Sequence, residues 1–452
     1  MKILIAGCGK VGQTLAQALS EEGHDLTLID MDSRVLEIGM ERYDVIAVQG
    51  NCASMQTMRR ADVENADLLI ACTGSDELNL LACATAHAMS SKIHTIARVR
   101  NPEYTQQAFE MRKAFGLSMT FNPELQAAVE IERLLKMPGF LKRDTFAKGR
   151  VEIVEIRIDE SSKLCDVPLS SLNSIVKCKV LVCTVLRDGQ TIMPDGQFTL
   201  REGDRIFVTA PSDNLAMLLK NLGIVTHKIR RALIIGGGTI SYYVAQRLES
   251  SSIDATIMES DRERCTELAT LLPDVDVICG DAGGEGLLEG EEISETDALI
   301  TLTDSDELNM VLSLCAHQRE LPQVVTRLEQ LGSIGITERL PLGSVICPRQ
   351  LCCSNIIRYV RAMQNKAGAA ITIHSIADGQ AEALEFLVDE NTLYCDTPLK
   401  KLKFRPNILL VGITSKNGTE IPNGNSVYHV GDSVVLVAGG DTVIGQFNDI
   451  FE

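Results

Sequence analysis

The sequence predicts an α/β protein that is built as a tandem duplication of a doubly wound parallel-sheet domain, each copy followed by a small α+β C-terminal subdomain. Three observations support this prediction. The chain repeats itself at an interval of about 229 residues, short apolar runs alternate with helical patterns in each copy, and a glycine-rich motif follows the first apolar run. Together they indicate sheets covered by helices on both faces.

The duplication extends over the whole chain. Residues 2–12 read KILIAGCGKVG, and residues 231–241 read RALIIGGGTIS. Residues 73–79 read TGSDELN and residues 303–309 read TDSDELN, while LCDVPL at 164–169 matches YCDTPL at 394–399. A match that is sustained with gaps of only one or two residues indicates a duplicated module of roughly 225 residues.

In each copy, five short apolar runs lie about 20 residues apart, with helical patterns between them. Such alternation is typical of β-α-β units and of a parallel sheet that is buried on both faces. The predicted strands are residues 3–6, 26–29, 45–48, 68–72 and 95–99 in the first copy, and residues 232–235, 255–258, 275–278, 298–302 and 323–327 in the second.

A helix that begins at a proline follows each sheet domain, over residues 123–137 and 348–364, and Pro138-Gly139 is expected to end the first of them. A β-rich segment of about 70 residues comes next, with a predicted hairpin turn at Asp188-Gly189 in the first copy and at Asn417-Gly418 in the second. Segments of this size suit ligand sensing or dimerisation better than catalysis.

These patterns predict six structural parts. The expected boundaries are a first Rossmann-like domain at 1–120, a linking crossover helix at 121–150, a first small subdomain at 151–226, a second Rossmann-like domain at 230–345, a second crossover helix at 346–368 and a second small subdomain at 369–452.

Composition narrows the classes of function. A formal net charge of −18 disfavours nucleic-acid binding, because an acidic surface repels phosphates. No window approaches the ~18 apolar residues of a membrane span, and the first apolar run is shorter than the ~7–15 residues of a signal-peptide core, so we expect a cytoplasmic protein.

The fourteen cysteines form no CxxC pair. Cys72, Cys183 and Cys279 are expected to be small buried apolar residues, and no metal site is predicted.

The motif that carries binding chemistry is GxGxxG at residues 7–12, after the first strand and at the start of a helix. Gly7 makes the tight turn, Gly9 allows backbone N–H groups to approach a pyrophosphate, and Gly12 allows close helix packing. Asp30 lies 23 residues beyond Gly7, where a carboxylate binds a ribose hydroxyl and repels a 2′-phosphate. The first copy therefore predicts a Rossmann-like site for a dinucleotide or adenine nucleotide, with NAD favoured over NADP.

The second copy departs from this motif. Gly236 and Gly238 remain, but Ser241 replaces the third glycine and Glu259 replaces the aspartate. Residues 1–229 carry 26 basic and 29 acidic side chains, whereas residues 230–452 carry 17 and 32, so an anion meets more repulsion in the second half. The sequence leaves open whether this second site binds a nucleotide, and whether that nucleotide differs from the one in the first site.

The order of these motifs resembles the regulator-of-potassium-conductance (RCK) domain. The resemblance covers the glycine motif, Asp30, the GNCA run at 50–53, the TGSDELN run at 73–79, the ARV run at 97–99 and Pro138-Gly139. Two such units in one chain resemble the cytosolic subunits of Trk potassium-uptake systems. By that resemblance, the first site is lined by Gly7, Cys8, Gly9, Lys10, Val11, Gly12, Asp30, Asn51, Cys52, Thr73, Gly74 and Arg98, and the second by Gly236, Gly238, Glu259, Asp281, Thr303 and Arg327.

The resemblance implies a non-enzymatic, nucleotide-sensing subunit that gates a Trk- or Ktr-type potassium transporter. The implied ligands are NAD(H) in the first half and ATP/ADP or AMP in either half. The implied partners are a membrane potassium-translocating pore subunit and further copies of the chain in a ring, as a homodimer or homotetramer. Such a protein lies in the cytoplasm, peripherally associated with the inner face of the cell membrane.

Two alternatives stay open. The chain could regulate a different potassium channel or an efflux system, since the partner lies on another chain. An NAD-dependent dehydrogenase would need an acid–base group beside the nicotinamide. The sequence offers no histidine paired with a carboxylate in both copies: His87 aligns with His317, but His94 has no counterpart.

Overall fold

The computed structural model describes residues 1–136, 140–158, 162–210, 212–222, 228–283, 296–329, 340–364, 370–377, 380–416, 418–440, 442 and 444–452. Three of the turn residues named above, Pro138, Gly139 and Asn417, lie outside the described residues.

The first copy begins with a six-stranded parallel sheet. Its strands are β1 (Lys2–Ala6), β2 (Asp25–Asp30), β3 (Val45–Gln49), β4 (Leu68–Ala71), β5 (His94–Arg98) and β6 (Met119–Phe121). Its helices are α1 (Lys10–Glu21), α2 (Ser33–Arg42), α3 (Met55–Arg60), α4 (Asp76–Met89) and α5 (Pro102–Glu110). The spatial order β3-β2-β1-β4-β5-β6 reverses direction between β1 and β4. In doubly wound sheets, ligands bind at the carboxyl ends of the strands at such a reversal.

Both faces of this sheet are covered, which explains the apolar runs. Four residues of β1 and all four of β4 are buried, so these strands lack the polar alternation of a half-exposed sheet. α4 begins at Asp76, directly after its N-cap Ser75, whose hydroxyl accepts a hydrogen bond from Leu78 N at 3.1 Å. The five strands predicted from apolar runs are therefore β1 to β5 of the sheet, with β3 at one edge.

Helix α6 (Pro123–Lys136) leads into a five-stranded antiparallel sheet. Its strands are β7 (Lys142–Phe146), β8 (Val151–Arg157), β9 (Leu181–Arg187), β10 (Gln190–Ile192) and β11 (Arg205–Ala210), accompanied by α7 (Leu172–Val176) and α8 (Ser212–Leu222). β9 and β10 form the predicted hairpin, with Asp188 at φ 52° and Gly189 at φ 75°. Two successive positive φ angles define the tight turn that matches the strand twist.

The second copy repeats the parallel sheet with the same topology. Its strands are β12 (Arg231–Ile235), β13 (Asp254–Glu259), β14 (Asp276–Cys279), β15 (Ala298–Thr301), β16 (Gln323–Arg327) and β17 (Ser344–Ile346), in the order β14-β13-β12-β15-β16-β17. Its helices include α9 (Thr239–Ser250), α10 (Arg262–Leu271) and α11 (Asp306–Gln318), and α12 (Pro348–Gln364) follows. The fold class predicted from the duplication is confirmed.

The last segment is a second antiparallel sheet of five strands. They are β18 (Ala370–Ile376), β19 (Ala381–Leu387), β20 (Ile408–Ser415), β21 (Gly418–Glu420) and β22 (Ser433–Gly439), in the order β18-β19-β22-β20-β21. This order is equivalent to that of the first small sheet. The two small sheets share one apolar core, in which Phe146 and Phe207 pack with Val411, Val435 and Val437.

The chain divides into two compact units. One comprises Met1–Ala128 with Cys347–Tyr359, and the other comprises Val129–Ile346 with Val360–Glu452. Within the first unit, α12 packs on the first sheet domain, where Tyr359 Oη lies 3.0 Å from His94 Nδ1. Within the second unit, the end of α6 binds α9 of the second sheet domain through Glu132 and Arg247. Each crossover helix thus contacts the sheet domain of the other copy.

Candidate nucleotide-binding site

The turn between β1 and α1 requires glycine at two positions. Gly7 has a φ of 98°, and an added Cβ there would lie 2.7 Å from the backbone of Cys72 and Thr73. An added Cβ at Gly12 would lie 2.0 Å from Gly7 O. These distances are far inside van der Waals contact, so the two glycines bring β1, β4 and α1 together at the sheet reversal.

The start of α1 is open. Gly9 is its N-cap and supplies no side-chain hydrogen bond, and an added Cβ at Gly9 would meet no atom within 4 Å. Helix N-termini attract anions, because their first N–H groups lack intrahelical partners and carry partial positive charge. The turn therefore presents a helix end without a side-chain cap beside open space.

Asp30 at the end of β2 supports this turn directly. Its Oδ2 accepts a hydrogen bond from Cys8 N at 2.7 Å, and its Oδ1 accepts one from Asp32 N at 3.0 Å. Each carboxylate oxygen has a further lone pair, so Asp30 can hold the loop and still accept a ribose hydroxyl. The structure thus gives Asp30 a second, conformational task that the sequence did not reveal.

Several predicted site residues contribute no free side chain. Cys8, Val11 and Cys52 are at most 9 % exposed, so their side chains are not available to a ligand. Burial raises the pKa of the Cys52 thiol to about 11, so this thiol stays neutral. The Asn51 side chain accepts a hydrogen bond from Ala53 N at 2.9 Å and shapes the turn after β3, while Lys10 is exposed.

A hydrogen-bonded group joins the ends of β4 and β5. Asn79 is fully buried, and its Oδ1 accepts hydrogen bonds from Thr73 N at 2.8 Å and Thr73 Oγ1 at 2.7 Å. Its Nδ2 donates to Arg98 O at 3.0 Å, and the Arg98 guanidinium donates to Thr73 O. Asn79 therefore positions both predicted ligand residues. Asn79 belongs to the repeated motif, although it is not one of the predicted site residues.

The second copy preserves this group. Asn309 Oδ1 accepts hydrogen bonds from Thr303 N at 3.0 Å and Thr303 Oγ1 at 2.7 Å, and its Nδ2 donates to Arg327 O at 3.1 Å. The signal that identifies the two asparagines is their identical place in both copies of the motif.

The surrounding charge differs between the copies. Arg327 forms ion pairs with Asp304 at 3.1 Å and Glu329 at 2.6 Å. Gly74 and Arg100 occupy those two positions in the first copy. Among the described residues, Arg98 has no carboxylate within ion-pair distance, and its buried Nε has no hydrogen-bond partner. The first site therefore keeps a cationic group available, whereas the second has neutralised its counterpart.

In the second copy, neighbouring side chains form hydrogen bonds with the backbone of the glycine turn. Glu259 accepts hydrogen bonds from Gly237 N at 2.5 Å and Asp261 N at 2.8 Å. Burial would raise the pKa of Glu259, but these N–H groups outweigh it and lower the pKa, so the carboxylate is charged. Ser241 Oγ donates to Gly236 O, which places a side chain where the first copy has Gly12. Arg264 Nε donates to Gly237 O at 2.7 Å.

The remaining predicted residues occupy equivalent edges. Asp281 Oδ1 accepts from Gly283 N at 2.8 Å in the turn after β14, and Gly238 is the N-cap of α9. All predicted residues of each copy thus lie at the carboxyl ends of that copy's strands. One expectation about the cysteines is wrong: Cys72 and Cys183 are buried, but Cys279 is exposed because it ends the edge strand β14.

The fold and the site define a protein of two tandem RCK-type units, each with a nucleotide-binding fold. The TrkA-N domain model matches residues 3–123 and 232–348, and the TrkA-C domain model matches residues 153–223. The chain belongs to the TrkA family of Trk-system potassium uptake proteins.

Relatives match over the full length. The Trk system potassium uptake protein TrkA homolog of Archaeoglobus fulgidus is 31% identical over 451 residues, covering 100% of both chains. TrkA of Haemophilus influenzae is 28% identical over 460 residues, covering 100% of this chain and 99% of the relative.

Solved structures share the fold. The GsuK RCK domain superposes with a TM-score of 0.62 at 16% identity, covering 97% of this chain and 92% of that chain. The GsuK channel bound to NAD has a TM-score of 0.60 at 17% identity, covering 97% and 76%. Among the described residues, no helix is both long enough and apolar enough to cross a bilayer.

Proposed function

We propose that this chain is the nucleotide-sensing regulatory subunit of a Trk- or Ktr-type potassium-uptake transporter. In this proposal it binds NAD(H) or ATP/ADP without chemical change and gates a membrane pore subunit. The observation that carries the proposal is the first site itself, where a helix end without a side-chain cap, Asp30 and Arg98 lie at the sheet reversal. Membership of the TrkA family supports the link to potassium uptake.

The first half is the proposed primary binding site. Arg98 supplies a guanidinium that no described carboxylate neutralises, and charge-assisted hydrogen bonds to phosphate are the strong ones. Asp30 favours NAD(H) over NADP(H), because its charge repels a 2′-phosphate. ATP, ADP or AMP are further candidates in either half. A solved GsuK channel carries NAD and another GsuK structure carries ADP, which supports this choice of ligands.

Gating requires differential binding. A nucleotide can shift the subunit between two arrangements only if it binds one of them more tightly. The proposed ligands differ in phosphate charge and in nicotinamide redox state, and both differences act at the strand ends joined by Thr73, Asn79 and Arg98. A change in these contacts is therefore the proposed trigger.

The proposed partners are a membrane potassium-translocating pore subunit and further copies of the chain in a ring. This arrangement places the chain in the cytoplasm, at the inner face of the membrane. Regulation of a different potassium channel or of an efflux system is the nearest alternative, and it uses the same nucleotide site.

A dehydrogenase is disfavoured by the chemistry of the crevice. Asp30 and Asp76 each accept two backbone N–H hydrogen bonds, which hold them as structural carboxylates. His87 lies near the far end of α4, eleven residues beyond Asp76, so about 16 Å of helix separates it from the strand ends. Neither these two carboxylates nor His87 provides an acid–base group beside a nicotinamide.

The test is potassium flux into vesicles that contain a Trk-type pore subunit, with and without this chain. We expect NADH, NAD, ATP or ADP to change the flux only when the chain is present. Binding of nucleotide with no change in flux would reject the gating proposal. Steady NADH oxidation coupled to reduction of a small substrate would restore the dehydrogenase alternative.

A further inference from the structure

Two cysteines meet beside the second glycine turn. Cys279 ends β14 and is the register partner of Glu259 on the neighbouring strand β13. Cys265 lies on α10, and its Sγ donates to Glu259 O at 3.3 Å. The Cys279 thiol is near enough to that of Cys265 to contribute, after burial, to a raised pKa of Cys265. Both thiols therefore lie against one backbone position, that of the residue which also holds the glycine turn through its carboxylate.

The two thiols differ in access. Cys265 is 7 % exposed, whereas Cys279 is the only one of the fourteen cysteines that is exposed, and all fourteen lie in the part of the chain that the structure describes. A solvent-facing thiol beside a buried thiol is the arrangement in which the first attacks an external disulfide and the second resolves the product. The first copy has Leu36 and Gln49 at these positions, so this pair belongs to the second copy alone.

We propose that Cys265 and Cys279 form a reversible dithiol–disulfide site that takes low-molecular-weight disulfides as its oxidants. The Cys279 thiolate attacks the external disulfide, forms a mixed disulfide and releases one external thiolate. The Cys265 thiolate then attacks Cys279 Sγ, forms the intramolecular disulfide and releases the second external thiolate. The protein loses two electrons and two protons, and the external disulfide becomes two thiols.

Oxidation changes the second glycine turn at a defined atom. Cys265 Sγ can no longer donate to Glu259 O once it is bonded to Cys279, and α10 becomes covalently joined to the edge strand β14. The site therefore couples the thiol redox state to the backbone that carries Glu259. This proposal is independent of nucleotide binding and gating, because it concerns only the protein's own thiols.

The experiment treats the full chain with 2-hydroxyethyl disulfide, quenches with acid, and counts free thiols after denaturation. The expected count falls from fourteen to twelve per chain and returns to fourteen with dithiothreitol. Cleavage after glutamate and aspartate separates the two cysteines, at Glu267, Asp274 and Asp276, so mass spectrometry identifies the joined peptides.

Single variants assign the two steps. In Cys265→Ser, which retains a hydroxyl donor for Glu259 O, Cys279 should keep the reagent as a stable mixed disulfide. In Cys279→Ser, Cys265 should stay a free thiol because it is buried. Cys315→Ser, on α11 away from the pair, should behave like the wild type. A wild-type protein that retains a mixed disulfide on Cys279, or that joins other cysteines such as Cys352 and Cys353 instead, would overturn the proposal.

Discussion

Arg98 and Arg327 occupy equivalent strand ends, yet their surroundings give them different chemistry. Both donate to the carbonyl of a threonine that a buried asparagine holds in place. Arg327 also pairs with two carboxylates, and Arg98 pairs with none of the described ones. The carboxylates that pair with Arg327 offset its positive charge. Arg98 should therefore contribute more than Arg327 to anion binding.

We expect Arg98→Ala to weaken nucleotide binding by about 1.5–3 kcal/mol, which is the typical contribution of a hydrogen bond to a charged group. Arg327→Ala is the matched control and should change the affinity of the first site by less than a factor of about 2. Isothermal titration calorimetry with NADH measures both.

The same Arg98 variant should reduce the response of potassium flux to nucleotide. Equal responses in the wild type and Arg98→Ala would remove Arg98 from the coupling.

Asp30→Ala should weaken nucleotide binding by about 1–3 kcal/mol, the cost of a lost hydrogen bond in a partly buried site. Asp30 also holds Cys8 N, so this variant removes two contacts at once. Asp30→Asn separates the contact with Cys8 N from the contact with the ligand. Its amide oxygen can still accept a hydrogen bond from Cys8 N, but the negative charge that faces the ligand is lost. If NADH binds the wild type and Asp30→Ala equally in calorimetry, Asp30 is not a ligand residue.

Among the single elements, the crossover helix α6 is attached to the sheet domain of the second copy. The end of α6 is attached to α9 through Glu132, whose carboxylate accepts from Arg247 Nε at 2.6 Å and Ser251 Oγ at 2.7 Å. Glu132 also pairs with Lys136 at 2.7 Å and is only 7% exposed at its side chain. These contacts join a helix of the first copy to the sheet domain of the second.

A double-mutant cycle tests this attachment. Glu132→Gln and Arg247→Ala should each lower the melting temperature, and together they should lower it by less than the sum, with a coupling free energy on the order of 1 kcal/mol. Thermal unfolding followed by circular dichroism is the measurement. Arg133→Ala, which breaks a pair with Glu130 inside the same helix, should be additive with Arg247→Ala. Additive effects of Glu132→Gln and Arg247→Ala would contradict the attachment.

At the junction of the two small sheets, the Asp144 carboxylate lies beside two basic side chains. His374 Nδ1 lies 3.1 Å from Asp144 Oδ1, and Lys142 lies 3.3 Å from Asp144 Oδ2. Burial alone would raise the pKa of Asp144, but Lys142 and His374 outweigh it and lower the pKa to about 2. A carboxyl whose folded pKa is depressed stabilises the protein above its unfolded pKa of about 3.9, and this stabilisation is lost as the pH falls toward 2.

We therefore expect the wild type to lose stability between pH 5 and pH 2.5, with Asp144 responsible for on the order of 2 kcal/mol over the full titration. Asp144→Asn should lower stability at pH 5 and should show a shallower decline with falling pH. Melting temperature across this range is the measurement. Asp188→Asn, at an exposed hairpin position where asparagine tolerates the positive φ, should keep the wild-type slope. Parallel slopes in the wild type and Asp144→Asn would reject the pair as the cause.

At the scale of the whole molecule, the apolar faces of the crossover helices are used within the chain. Ala127, Ile131, Cys352, Ile356 and Val360 are all fully buried. These faces therefore do not supply an interface between chains. Exposed apolar side chains occur elsewhere on the first sheet domain, where Leu81 is 54% and Phe109 is 68% exposed.

Self-association into a dimer or tetramer remains our prediction for the whole molecule. Light scattering coupled to size-exclusion chromatography should give a mass that is two or four times the 49.3 kDa of one chain. Phe109→Asp tests whether the exposed face of α5 takes part, because burial of an unpaired charge at an interface is costly. A monodisperse monomer with and without nucleotide would refute assembly.

The amino-acid sequence alone predicts the duplication, five of the six strands of each parallel sheet, the glycine turns and the strand-end positions of the candidate ligands. These features are local, since apolar runs and glycine spacing report the burial and backbone demands of one segment. It missed the edge strands β6 and β17, because three residues are too few to show a period. It also placed Cys279 in the core, because an apolar run looks the same at an edge strand as in a central one.

The pairings between distant segments are visible only in the folded chain. The pattern of an amphipathic helix shows that one face is buried but does not identify the surface that covers it. The sequence therefore does not predict that α6 and α12 each contact the sheet domain of the other copy. The neutralisation of Arg327 by Asp304 and Glu329, and the bracing of Thr73 and Arg98 by Asn79, depend on strand ends that meet only in the folded sheet. Long-range electrostatics and packing are properties of that arrangement, and no single segment encodes them.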